Sequence, residues 1–112
     1  MDDYSNEKVN VPSPNDKDKV LVDTSIYAIL SSIQKVSETS QDKVYSVDVL
    51  MTEGLRAGET RSDYIKFYDF GYVSFSYENK DWRPIEFSKN DWWGKLAKLV
   101  GNKVGYDDFF RN

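Results

Sequence analysis

Alternation of apolar and polar positions dominates the middle of the chain. Across Lys43–Met51, Tyr45, Val47, Val49 and Met51 fall on one side of a period-two pattern, opposite Ser46 and Asp48. A period of two built from β-branched and aromatic residues marks a half-buried strand. The pattern returns in Ile65 and Phe67 against Lys66 and Tyr68, and in Val73, Phe75 and Tyr77 against Ser74 and Ser76. Asp69-Phe70-Gly71 separates these two runs, and its glycine predicts a bulge or tight bend. After the polar cluster Glu78-Asn79-Lys80-Asp81 the chain resumes as Trp82–Phe87. There Pro84, with no amide hydrogen to give a ladder, predicts an edge strand. Strands are therefore expected at about 43–51, 63–69, 72–78 and 82–87.

Two other segments show a different spacing. Ile26, Ile29, Leu30, Ile33 and Val36 recur at intervals of three, four and seven, with Asp23 or Thr24 placed to cap. That pattern predicts an amphipathic helix at about 24–37, lying across the sheet and ending in the polar run Ser37-Glu38-Thr39-Ser40. The second helix is expected at about 89–100. Ser88 and Asp91 approximate a capping box, with Phe87 and Trp92 as a hydrophobic staple. Trp92, Leu96 and Leu99 would form its inward stripe, flanked by Trp93 and Val100, and Gly101 would stop it. Between the elements, Thr52–Ser62 reads as a long connection with two glycines, a mobile hairpin loop.

Composition narrows the possibilities. The chain has 112 residues, 39% hydrophobic and 30% charged, enough for one domain with a modest core. Residues 1–18 carry too little apolar surface to offset the entropy of ordering and read as a flexible acidic and polar tail ahead of a single α+β domain at 19–112. There is no cysteine and no histidine. Disulfide scaffolds and thiol chemistry are excluded, and the commonest general base and metal ligand are missing. The start MDDYSNEKVN has no basic segment leading into an apolar one, and no apolar run approaches membrane-spanning length. A soluble, cytoplasmic protein is expected. Net charge is −4, divided as −5 over residues 1–63 and +1 over 64–112, which argues against wholesale duplex binding.

Motifs that carry chemistry elsewhere find no support here. Asp69-Phe70-Gly71 lacks every companion of the kinase signature, and Ser32 with Lys35 lacks the companions of serine acyl enzymes. The pairs Asp16/Asp18 and Asp107/Asp108 lack the glycine and glutamate offsets of a calcium loop and read as solvated acids. The lysine-rich run Lys89–Lys103 is explained by its caps and stripe as a core-packing helix. No base–nucleophile pair or ligand set can be assembled, so neither an enzyme nor a cofactor is expected.

What remains is aromatic surface. Residues 63–93 hold eleven of the seventeen aromatic residues. Tyr64, Tyr68 and Tyr72, with Trp82, form an outward row accompanied by Lys66 and Arg83. Such a row serves a protein interface, where aromatics supply hot spots, or a platform on which single-stranded nucleic acid stacks its bases. The expected architecture is α+β: a three- to four-stranded antiparallel sheet packed by an N-terminal and a C-terminal amphipathic helix. The expected function is a non-catalytic protein-binding module, such as a small acidic inhibitor, immunity or accessory protein of a phage or mobile element. A single-stranded nucleic-acid binder is the alternative, and self-association through the aromatic face is compatible with either.

Overall fold

A computed structural model describes residues 11–13, 15–69, 71–77, 79–89 and 91–106 of the chain. The first ten residues of the acidic tail, the Asp107/Asp108 pair and the phenylalanines at 109 and 110 lie outside the described residues. Six antiparallel strands pair in sequence order: β1 (Lys19–Asp23), β2 (Ile26–Glu38), β3 (Asp42–Met51), β4 (Thr60–Tyr68), β5 (Val73–Ser76) and β6 (Arg83–Pro84). A 3-10 turn at Phe87–Lys89 leads into α1 (Trp92–Val104), the one α-helix among the described residues. The sheet curls into a half-barrel, and the helix fills its concave side. No helix among the described residues is long and apolar enough to cross a membrane.

This corrects the expected sheet of three or four strands covered by two helices. The segment expected as a helix at 24–37 is β2, and the reason lies in its pairing with β3. Between the pairs Ile29–Asp48 and Gln34–Ser46, β2 advances five residues while β3 advances two. Between Lys35–Tyr45 and Ser37–Val44 it advances two against one. An odd number of extra residues flips which face the following side chains occupy. Ile26 and Ile33, seven apart, therefore both pack on the concave core. A strand without the bulge would put them on opposite faces. The bulge thus gives a strand the seven-residue interval of a helix, while Ile29, Leu30 and Val36 stay off the core.

The larger bulge is held by side chains. Ser32 Oγ donates to the Ile29 carbonyl at 2.6 Å and accepts from the Asp48 amide at 2.7 Å. The Asp18 carbonyl accepts from Leu30 N–H at 2.7 Å, and its carboxylate accepts from Ser31 N–H and Oγ at 2.8 and 2.7 Å. Backbone groups that the bulge takes out of the ladder are satisfied in this way. Asp16 likewise accepts from the Asp18 amide and from Lys19 Nζ, each at 3.0 Å.

The connections between strands are short. The expected Thr52–Ser62 loop contracts to residues 52–59, closed by Gly58 N–H to Met51 O at 2.7 Å and Met51 N–H to Glu59 O at 3.0 Å. Buried Thr52 anchors its base by donating from N–H and Oγ to the Ser25 carbonyl. After β4, Gly71 takes φ 99°, and Tyr68 N–H donates to Tyr72 O at 2.9 Å. The register Lys66–Ser74, Phe67–Val73 therefore runs on unshifted to Tyr68 and Tyr72. At the far edge, Ile85 N–H donates to Val73 O at 2.9 Å. Bonded and non-bonded pairs alternate in such a ladder, so Pro84, opposite Ser74, turns its hydrogen-less nitrogen outward. That edge has no donor at this position to offer another strand.

The concave core joins Val22, Ala28, Tyr45, Val47, Val49, Ile65, Phe67 and Val73 to Trp93, Leu96, Ala97 and Val100 of α1. Three details of the helix differ from expectation. Asp91 rather than Ser88 is the N-cap, accepting from Gly94 N–H at 3.1 Å, because residues 87–89 are spent in the 3-10 turn. Gly101 is buried within the helix, and Gly105 takes the left-handed cap at φ 95°. The stripe continues one turn further through Val104, which packs on the core. It also starts at Trp93, stacked on Phe75 at 3.9 Å, with Trp92 half-buried outside it at 4.1 Å. Lys95, Lys98 and Lys103 face solvent.

The stripe sets the order of two tryptophan truncations. Trp93→Ala is expected to cost roughly 3–5 kcal/mol of unfolding free energy, as large aromatic truncations in cores do. Trp92→Ala should cost clearly less, and denaturant titration of both variants measures the difference. Equal losses, or a larger loss at Trp92, would contradict the helix orientation.

Candidate functional site

Register places each residue of the aromatic row. On the convex face, opposite the helix, Tyr64 pairs with Ser46 and Ser76, Lys66 with Val44 and Ser74, and Tyr68 with Asp42 and Tyr72. The residues with small side chains between them, Ser46, Ser74, Ser76 and Val44, are buried. Tyr64, Lys66, Tyr68 and Trp82 are half-buried, and Tyr72 is 67% exposed. The face is therefore a floor of small residues from which rings and one lysine rise. None of the described elements covers it.

Lys66 is the centre of this surface. Its ammonium lies 4.3 Å from the Trp82 ring centroid and 5.5 Å from that of Tyr68. Both are cation–π distances. No carboxylate among the described residues forms an ion pair with it. The ammonium itself is what the two rings flank, and an acceptor from outside would meet it there.

Arg83 does not join this group. It pairs with Phe75, whose ring lies against Trp93, so it belongs to the helix-facing side of β6. With Phe75, Ser76, Tyr77 and Asp81 it lines a shallow cleft of about 260 Å³. Of the six residues expected to act together, the structure collects Tyr64, Lys66, Tyr68, Tyr72 and Trp82 and sets Arg83 apart. Among the described residues no group of three or more acidic side chains could hold a metal ion. Asp16 and Asp18 hold the start of the chain's first strand and the β2 bulge.

A second cluster, absent from the expected set, lies on the concave side. Asp63 is fully buried, and Arg61 grips it with Nε to Oδ1 at 3.0 Å and an Nη to Oδ2 at 3.3 Å. The guanidinium in turn lies 4.9 Å from the Tyr77 ring and 5.6 Å from that of Trp92. Burial raises the Asp63 carboxyl to about 6; Arg61 pulls it down only in part, and the Asp48 charge adds to the rise. Asp63 and Arg61 continue the alternation of Ile65 and Phe67 backward by steps of two, a signal present in the sequence. Sealed beneath the sheet, this carboxylate acts on the fold and reaches no open surface.

Comparison of the chain with family profiles, curated proteins and solved structures returns no match, so geometry alone bears on the site.

The buried carboxyl makes stability depend on pH in a defined direction. The folded-state value, about 6, lies above the ordinary 3.8, so the folded protein holds the proton more tightly than the unfolded chain. Its contribution is fully present below the unfolded value, declines as pH rises through the window between the two, and is flat above the folded value. Relative to Asp63→Asn, the wild type should gain about 2 kcal/mol as pH falls from 7 to 4. Parallel urea titrations of the two proteins across that range test the sign. A difference that stays constant with pH, or shrinks on acidification, would be inconsistent with a desolvated Asp63.

Proposed function

We propose that the protein is a non-catalytic binding module that engages another protein through its convex aromatic face. The supporting observation is Lys66, set between the Trp82 and Tyr68 rings without a carboxylate partner among the described residues, on a sheet face that no described element covers. Aromatic side chains around a ring-bracketed cation have the composition of an interface hot spot, in which apolar burial excludes water from a polar anchor. A complementary partner presents apolar side chains to Tyr64, Tyr68 and Tyr72 and an acceptor group to Lys66.

Electrostatics favour this reading over base stacking. A face that tracks a phosphate backbone needs several cations along its length. Here Arg83 lies on the other side of β6, and Asp42 stands beside Tyr68. One lysine is left on the row of rings. The convex curvature also fits a partner surface better than a small substrate, which concave pockets hold.

Alanine substitution separates the two occupants. Tyr68→Ala and Tyr72→Ala should each weaken the complex with a co-purified partner by about 1–3 kcal/mol in a calorimetric titration, with thermal midpoints close to wild type. Binding of single-stranded oligonucleotides that falls steeply with salt and is lost in the same variants would move the face to nucleic acid. Unfolding of both variants would remove it as a docking surface altogether.

A further inference from the structure

β4 outruns the strand beside it. Tyr64 pairs with Ser76, the last residue of β5, so residues 60–63 have a strand on their β3 side only. Arg61 stands at this gap with its side chain 37% exposed, while the Asp63 carboxylate that it grips is fully buried. The grip uses one edge of the guanidinium. Nε and Nη2 donate to the two carboxylate oxygens, which engages two of the five N–H groups. The other three, on Nη1 and the outer side of Nη2, meet no acceptor among the described residues. They form a second planar fork, the shape that a carboxylate matches with two parallel bonds.

Aromatic rings hold the same guanidinium from other sides, Tyr77 at 4.9 Å and Trp92 at 5.6 Å. Tyr77 is itself pinned, edge-to-face against Phe75 at 6.2 Å and Trp93 at 5.0 Å, yet it stays 50% exposed. This ring also walls the cleft of about 260 Å³ that Phe75, Ser76, Asp81 and Arg83 complete. Tyr77 therefore links the exposed guanidinium to a concave surface. Arg83 is exposed and forms no ion pair among the described residues. The charged residues of the clamp and the cleft are two basic, Arg61 and Arg83, and two acidic, Asp63 and Asp81. That balance lacks the excess of cations that a phosphate dianion calls for, and a single negative charge fits it better.

We propose that Arg61, Tyr77 and Arg83 form a binding site for a small aryl carboxylate. The ring of the ligand lies against Tyr77 in the cleft, and its carboxylate meets the outer fork of Arg61. Arg83 adds attraction from the cleft wall. Asp63 touches no ligand; it is a positioning residue that fixes the guanidinium plane, so binding need not order a long side chain. This gives a reason for keeping a carboxylate under the sheet against its desolvation cost. A cleft of about 260 Å³ lies below the range of drug-sized pockets and takes little more than one ring, so binding is weak and fast. The site is on the helix side of β4 and is independent of the convex aromatic face.

Titration of the full chain with sodium benzoate at constant ionic strength, followed by amide and Arg61 Nε–H resonances, tests the site. Saturable shifts are expected at Arg61, Tyr77 and Arg83. Acetate lacks the ring and benzamide lacks the charge, and each should bind at least about tenfold more weakly than benzoate. Arg61→Lys keeps the charge without the fork and should weaken benzoate about tenfold. If that variant fails to fold, the comparison of the three ligands on the wild type decides alone. Asp63→Asn should shift the Arg61 Nε–H resonance and speed its exchange with water, which reads the clamp directly. Shifts that never saturate, or benzamide bound as tightly as benzoate, would overturn the proposal. So would phenyl phosphate bound more tightly than benzoate, which reports positive charge rather than a fork. Shifts centred on Lys66 and Tyr68 would also overturn it, since they place the ligand on the convex face.

Discussion

The architecture depends on a departure from regular pairing. A flat sheet cannot enclose a single helix; it must bend, and the bend is concentrated in β2, where three more residues than in β3 separate two adjacent pairs. Removing residues from a ladder exposes backbone donors and acceptors, and leaving them unmet inside a domain is costly. Ser32 and Asp18 meet them, one from within the bulge and one from the chain's approach to β1. The curl then creates the concavity that receives Trp93, Leu96, Ala97 and Val100. Segments that read separately as a polar lead-in and a helix thus form one device. Serine, which would weaken a helix, is suited to the bulge because its hydroxyl both donates and accepts.

Legibility in the sequence followed regularity. β3 and β4 were visible because their side chains alternate without interruption, and β5 because its register continues through Gly71. The C-terminal helix was visible from its apolar spacing. Its exact face was not, since two adjacent tryptophans fit two stripes, and only the continuation to Val104 selects the one that begins at Trp93. β2 was misread because its two bulges change the phase. The β-branched content of Ile26, Ile29, Ile33 and Val36 pointed to a strand against the spacing, and it was the better guide. β1, five residues long with its apolar run cut at Asp23, gave too little pattern to register as a strand.

The candidate site was legible to the same degree. Tyr64, Lys66 and Tyr68 share a face because β4 is regular, and Tyr72 joins them because the bend after β4 preserves the register. Arg83 was misplaced because the phase of a two-residue strand cannot be read before its partner is known. Asp63 and Arg61 were overlooked for a different reason: charged residues beside a loop suggest solvent, and only continued alternation puts them under the sheet. Across β4 the two faces divide the labour. One side holds the helix through buried rings and an acid clamped by arginine, and the other carries rings and a lysine that no described element covers.

Pro84 has a consequence for the protein in a crowded cell. A sheet with two open edges is a template that can add copies without limit, as fibrils do. Here the last strand carries an imino acid at an outward position, and a strand arriving from another molecule finds no hydrogen there to accept.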